Sequence, residues 1–191
     1  MHPGEKITAP GMTYTGEATA EKLEIAIGGP WEDWLGVLAH ETCHLDQHLE
    51  DPTTFNRADS ALARISSWLD LVADEVDPSD FRTILDLESD CERRTIEKLS
   101  RHSLPLNRED YTRRANAYLT SYGVALRSRT WIPQPYRDDA LCAKMDSSRV
   151  ITVDEAIAPC PNAPDSEFLR LATPLPTTQT ARSPAAQEQA V

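Results

Sequence analysis

The sequence predicts a mainly helical α+β domain with a minor β element. Several long segments repeat apolar residues at helical spacing, Pro or capping residues precede them, and one short segment alternates apolar and polar residues instead. The 191 residues are enough for one core, so we expect a single domain over residues 1–158. From Pro159 onward the chain is rich in Pro, Ala, Thr and Gln, which predicts a disordered tail over residues 159–191.

The expected β element covers residues 23–27, where the alternating pattern ends at Gly28 and Gly29. A single short strand is not stable alone. We therefore expect it to pair with residues 12–15 or with residues 150–153.

The first helix is predicted to begin at Pro30, because Pro is favoured at the first helical position and acidic residues follow in the first turn. Its apolar residues predict the face that packs on the core: Trp31, Leu35, Leu38, Leu45 and Leu49. His40 and His44 project to roughly the opposite side of this helix. Gly36, one turn before His40, is expected to leave open space for a substrate.

Three helices are predicted after this one. A core helix covers residues 57–76, and no chemistry is assigned to it. The next begins with Asp77 as the cap and Pro78 at the first position, and its stripe runs from Phe81 to Leu99. The last follows Asn107 as its cap, and its stripe contains Tyr111, Ala115, Tyr118, Tyr122, Ala125 and Arg129.

The first helix carries an H-E-x-x-H motif at residues 40–44. Residues four apart share one helix face, so the imidazoles of His40 and His44 can both reach one metal ion. The intervening Glu41 is then directed at the water molecule on that ion. This arrangement predicts a catalytic zinc site.

A catalytic zinc site needs a third protein ligand and one open position. Glu88 and Glu92 lie in the apolar stripe of the helix that begins after Asp77, where a metal ion and an imidazole N–H would compensate their charges. The alternative is a buried carboxylate bonded to Arg or Tyr. Asp90 projects to the other side, and His48 lies about 12 Å along the helix axis from His40, too far to share the ion.

The residues His40-Glu41-x-x-His44, followed by the stretch from Glu88 to Glu92, resemble the gluzincin type of zinc metallopeptidase, whose second helix carries E-x-x-x-D. Residues 40–47 and 115–118 are also similar to uncharacterised phage- and prophage-encoded metallopeptidases. The similarity covers roughly residues 20–135. It implies a zincin-like fold with Glu88 as the third zinc ligand and Glu92 steadying the first His. Because residue 92 is Glu rather than Asp, the two roles stay open to exchange.

The resemblance implies zinc-dependent hydrolysis of peptide bonds, in which Glu41 acts as the general base on a zinc-bound water molecule. The hydroxyls of Tyr118 and Tyr122 are candidates to stabilise the developing oxyanion, with a purely structural role as the alternative. Residues 22–27 are candidates for the edge strand that pairs with an extended substrate. They could equally be an ordinary packing strand.

The net charge of −12 argues against general binding to nucleic acids or anionic membranes and permits a basic peptide or protein substrate. No signal peptide or membrane-length apolar run is visible. The four cysteines form no C-x-x-C pair, so we expect reduced thiols in the cytoplasm, of a bacterial host if the protein is phage-encoded. A disulfide between Cys142 and Cys160 is the alternative.

Two functions from other classes compete with the peptidase. One is a catalytically silent metal-binding module with a structural or inhibitory role, and the other is a helical interaction protein without a metal. The sequence does not indicate the oligomeric state.

Overall fold

The computed structural model describes residues 7–9, 12–14, 16–18, 23–25 and 31–172. It confirms a mainly helical fold with a minor β element. The long helices are α1 (Trp31–Glu50), α2 (Pro52–Leu69), α3 (Pro78–Arg101) and α4 (Arg108–Ser128). A 3-10 turn at Pro135–Arg137 precedes the short helices α5 (Asp139–Cys142), α6 (Val153–Ile157) and α7 (Asp165–Leu169). The strands are β1 (Ile7–Ala9), β2 (Met12–Tyr14), β3 (Gly16–Ala18) and β4 (Leu23–Ile25).

The strands form two antiparallel pairs, β1 with β2 and β3 with β4. The predicted strand is therefore present as β4, but the expected partners were wrong. β4 pairs with its sequence neighbour β3, which places Gly16 opposite Ile25. Closing such a short loop costs little entropy. Residues 12–14 already pair with β1, and residues 150–152 form the connection that leads into α6 at Val153.

Helix α1 packs on the core with a different face from the one predicted. Trp31 and Leu49 of the predicted stripe are 43% and 79% exposed. The buried residues of α1 instead include Ala39, Glu41, Cys43, His44 and Gln47. This face packs on α3, where its polar groups find hydrogen-bond partners, so the face carrying the motif is the interior one. Pro30, the predicted first residue, lies outside the described residues.

Helix α2 begins and ends earlier than predicted. It starts at Pro52, where the Asp51 side chain accepts a hydrogen bond from the Thr54 N–H, and it ends at Leu69 rather than at residue 76. Leu71 adopts a left-handed φ of 61°, and the N–H groups of Val72 and Ala73 both donate to the Ser67 carbonyl. These bonds close the helix, because they occupy a carbonyl group that a further turn of helix would use.

The predicted starts of α3 and α4 are confirmed. Asp77 caps α3 through the Ser79 N–H, with Pro78 at the first position. Asn107 caps α4 through two backbone N–H groups. Helix α3 contacts α1, α2 and α4, and it is therefore the central element that positions the other long helices.

The folded part of the chain extends beyond the predicted boundary at residue 158. Helix α7 lies within the segment expected to be a tail, and Ala163 and Phe168 are fully buried against residues of α4 and α5. The Arg127 guanidinium also pairs with Asp165. The apolar residues 163 and 168 are too widely spaced to give a periodic signal. Residues 173–191 of the predicted tail lie outside the described residues.

Among the residues that the structure describes, no helix combines the length and the apolar character needed to cross a membrane.

Candidate metal centre

His40, His44 and Glu88 bring one side-chain atom each into a triangle between α1 and α3. The Nε2 atoms of His40 and His44 lie 3.0 Å apart. The Glu88 Oε2 atom lies 3.5 Å from each of them. This oxygen is buried and has no hydrogen-bond partner within the described residues. The structure thus joins the three residues that the sequence predicted as metal ligands.

Cys91 adds a further donor beside this triangle. One donor atom each from His40, His44 and Cys91 lies within 4.8 Å of the others, and this group could hold a metal ion. The Cys91 thiol donates to the His40 carbonyl at 3.3 Å and lies 3.6 Å from His40 Nδ1. Cys91 was not among the predicted ligands, although it lies between Glu88 and Glu92 on α3.

The second ring nitrogen of His40 faces Glu92. The distance from His40 Nδ1 to Glu92 Oε1 is 3.3 Å, and the Tyr111 hydroxyl donates to Glu92 Oε2 at 2.7 Å. Glu92 therefore lies where a carboxylate that steadies the first His would lie. A buried carboxylate bonded to a Tyr was the alternative given for these glutamates, and Glu92 has such a bond, from a Tyr of the predicted stripe of α4.

The space beside Gly36 is not open as expected. A Cβ atom on Gly36 would lie 3.4 Å from the Tyr111 ring and 3.8 Å from the Leu106 side chain. The Tyr111 ring and the Leu106 side chain therefore occupy the space beside Gly36, and the Tyr111 hydroxyl reaches Glu92 from there.

The second ring nitrogen of His44 faces Gln47, another residue that the sequence analysis missed. His44 Nδ1 lies 2.9 Å from Gln47 Oε1, and Gln47 Nε2 donates to the Leu87 carbonyl and to Asp90 Oδ2, both at 2.9 Å. The spacing of three residues from His44 was the available signal, because such residues are neighbours on a helix. Asp90 is thus not directed at the triangle, and it supports Gln47.

Glu41 is buried and lies beside strand β3. A Cβ atom on Gly16 would come within 2.9 Å of Glu41 Oε1 and within 2.4 Å of Val37 Cγ1. Real Cβ atoms do not approach other atoms this closely, so a larger residue at position 16 would force the side chains of Val37 and Glu41, or β3 itself, to shift. Of the described residues, β3 alone pairs with β4, and a role of residues 22–27 in binding substrate stays a prediction.

Tyr118 and Tyr122 share a hydrogen bond between their hydroxyls at 2.9 Å. The Tyr118 ring centre lies 6.4 Å from that of His40, whereas Tyr122 is buried in the core against Trp131. Burial and then the charge of Glu88 raise the pKa of both hydroxyls well above the usual range. Both therefore stay protonated at neutral pH, and Tyr118 is the one placed beside the histidines.

The charges at the centre are tightly coupled. Burial alone would lower the pKa of His40 and His44, but the carboxylates of Glu92 and Glu88 and the charge of Glu41 outweigh it, and the pKa of both rings is raised. Burial would raise the pKa of Glu88, yet the two imidazoles hold it well below its usual value. The centre therefore favours a positive charge between its donor atoms.

His48 and the remaining cysteines do not join the triangle. The His48 ring packs edge-on against Phe55, with 5.1 Å between ring centres. All four cysteines are free thiols, so Cys142 and Cys160 do not form the disulfide considered above.

Comparisons with protein families, with curated proteins and with solved structures give no match to this chain.

Proposed function

We propose that this protein is a zinc-dependent peptidase in which His40, His44 and Glu88 bind the metal ion and Glu41 is the general base. The observation that carries the proposal is the triangle formed by the two Nε2 atoms and the Glu88 Oε2 atom.

The triangle has the size that a zinc ion requires. Ligand atoms at about 2.0–2.1 Å from zinc in tetrahedral geometry are separated by roughly 3.3 Å. The three observed separations are 3.0, 3.5 and 3.5 Å. A buried carboxylate oxygen without a hydrogen bond is costly, and a cation at the centre of the triangle would satisfy it. The residues present therefore fit the ion.

The geometry favours Glu88 over Cys91 and Glu92 as the third ligand. Glu88 approaches the Nε2 atoms of both imidazoles, whereas Cys91 and Glu92 approach His40 on its Nδ1 side. The two nitrogens of one imidazole point in different directions, so an ion shared with His44 lies on the Nε2 side. Cys91 and Glu92 would then contact His40 at Nδ1, the nitrogen that does not face the ion, and help to orient the ring.

Zinc, when bound, supplies polarisation of a peptide carbonyl and lowers the pKa of a water molecule. Glu41 would take the proton from the attacking water and pass it to the leaving amine. The protonated Tyr118 hydroxyl, beside His40, is the candidate donor to the charge that develops on the carbonyl oxygen. Tyr122 would hold that hydroxyl in place through its own. The net charge of −12 favours basic peptide segments as substrates.

The test combines zinc determination on the purified protein with turnover of a peptide library. We expect about one zinc ion per chain. Glu41→Gln should retain zinc and lose turnover, whereas His44→Ala should lose both. The matched control is Glu32→Gln, an exposed carboxylate on the same helix, which should change neither. Equal zinc content in wild type and His44→Ala, or undiminished turnover in Glu41→Gln, would contradict the proposal.

A structural metal centre is the second candidate function, and burial of the ligands favours it. The side chains of His40, His44 and Glu88 are only 14%, 10% and 9% exposed, whereas a catalytic centre needs an open coordination position. Bound zinc with no turnover of any peptide in the library would support this candidate. Absence of metal from the purified protein would instead support an interaction protein without a metal.

A further inference from the structure

The Gln47 amide is bonded at both of its ends although the residue is only 5% exposed. One end contacts the His44 ring on the same helix, and the other reaches two acceptors on α3. The Gln47 amide thus links a proposed metal ligand to the backbone of the neighbouring helix.

The two acceptors determine which way the amide points. The Leu87 carbonyl oxygen can only accept a hydrogen bond, and the Asp90 carboxylate accepts in its ionised form. The amide group that faces them must therefore be the NH₂ group. Turning the amide by 180° would place its oxygen against two other oxygens.

The orientation of the amide in turn determines the protonation of His44. Because the amide oxygen faces His44 Nδ1 at 2.9 Å, that nitrogen must carry the proton. In a neutral imidazole the lone pair then resides on Nε2, the atom that lies in the triangle with His40 and Glu88. A neutral ring with its lone pair at the triangle is the form that binds a metal ion.

We infer that Gln47 is a positioning residue of the metal centre, which holds His44 in the tautomer that presents Nε2 to the ion. Gln47 is itself held by Asp90, whose carboxylate is bonded to Arg94 at 2.6 Å, and Arg94 pairs with Glu50 at the end of α1. The inference rests on the proposed metal site but not on peptidase activity.

Two substitutions separate the contact with His44 from the contacts with α3. Gln47→Leu removes both, so we expect zinc affinity to fall by about 10- to 100-fold, the usual loss when an acceptor behind a metal-bound His is removed. Gln47→Glu keeps an acceptor for His44 but places a carboxylate oxygen against the Leu87 carbonyl and Asp90. It should therefore lower the denaturation midpoint while zinc affinity stays within about tenfold of wild type.

The matched control is Asn116→Leu, which removes another buried amide bonded at both ends. Asn116 donates to the Asp146 and Arg149 carbonyls and accepts from the Ile151 N–H, all between α4 and the segment after α5. We expect this variant to lower the denaturation midpoint and to leave zinc affinity unchanged.

Zinc affinity is measured by chelator competition on protein that circular dichroism shows to be folded, and the denaturation midpoint is measured in urea. Wild-type affinity in Gln47→Leu would overturn the inference, as would equal losses of affinity in Gln47→Leu and Gln47→Glu. If Gln47→Leu does not fold, Gln47→Met, which matches the length of Gln, replaces it under the same criteria. Wild type that binds zinc but hydrolyses no peptide would contradict the proposed function alone, and wild type that binds no zinc would overturn both.

Discussion

Glu88 and Cys91 are the two candidates for the third ligand of the proposed metal centre, and replacing each in turn distinguishes them. Glu88 Oε2 lies 3.5 Å from both Nε2 atoms of the histidine pair, whereas Cys91 Sγ lies 3.6 Å from Nδ1 of His40. Glu88 thus faces the ring nitrogens that both imidazoles direct at one point, whereas the contact of Cys91 is with the other nitrogen of His40. We therefore expect Glu88→Gln to weaken zinc binding far more than Cys91→Ser does.

The magnitude follows from the charge that each substitution removes. Glu88 Oε2 lies 3.5 Å from each Nε2 atom, and at this separation and an effective dielectric constant of about 20 two unit charges interact by about 5 kcal/mol; an ion between these atoms would lie closer to the carboxylate. Since about 1.4 kcal/mol corresponds to a tenfold change, Glu88→Gln should lower zinc affinity by roughly a thousandfold or more. Cys91→Ser keeps a donor for the His40 carbonyl, so its effect should stay below about tenfold.

The assay is chelator competition for zinc at neutral pH with both variants and wild type. Glu109→Gln is the control, because this carboxylate on α4 is 70% exposed and pairs only loosely with Arg113. A larger loss in Cys91→Ser than in Glu88→Gln would refute the reasoning and make the thiol the third ligand. Unchanged affinity in both variants would place the third ligand elsewhere and remove the basis of the gluzincin interpretation.

Three further predictions concern the surroundings of the proposed ligands. Glu92→Ala should weaken zinc binding by about 10- to 100-fold and Glu88→Ala should weaken it more, because Glu92 reaches His40 at Nδ1 and not at the Nε2 atom of the triangle. The reverse order in a competition assay would exchange their roles. Zinc affinity should fall as the pH is lowered, starting above pH 6.5, because the nearby carboxylates raise the pKa of His40 and His44 despite their burial, and protons then compete with the metal ion. Zinc affinity that is independent of pH between 5 and 8 would contradict this prediction. The stability of the metal-free fold should change with pH in the opposite direction: the raised pKa values of the two histidines stabilise it fully below pH 6.5, and less as the pH rises through their values in the folded state. Gly16→Ala should displace Glu41 and lower the rate of peptide hydrolysis without changing zinc content. The control is Gly36→Ala, whose new methyl group would meet the Tyr111 ring at an ordinary 3.4 Å and should be tolerated. Equal rates of hydrolysis in the two variants would argue against a role of β3 in positioning Glu41.

The sequence by itself determined where α3 and α4 begin and which residues lie one helical turn apart on the same helix. The caps at Asp77 and Asn107 act through hydrogen bonds within one helical turn, so their effect needs no knowledge of the rest of the fold. The spacing of His40 and His44, and of Glu88 and Glu92, is likewise fixed by the helical period. These local rules were sufficient to propose His40 and His44 as ligands and to leave Glu88 and Glu92 as candidates for the third, whereas the choice of Glu88 came from the resemblance to gluzincins.

Only the tertiary structure decided which side of α1 faces the core. An apolar stripe from Trp31 to Leu49 suggested one side, but polar residues that find partners on α3 are buried on another. The hydrogen bonds of Gln47 to Leu87 and of Tyr111 to Glu92 join residues on different helices, so spacing along one helix could not reveal them. The approach of Gly16 to Glu41 likewise depends on how a strand crosses a helix. Sequence periodicity predicts which residues share one face of a helix. The rotation of that helix against its neighbour is set by the contacts between side chains of the two helices.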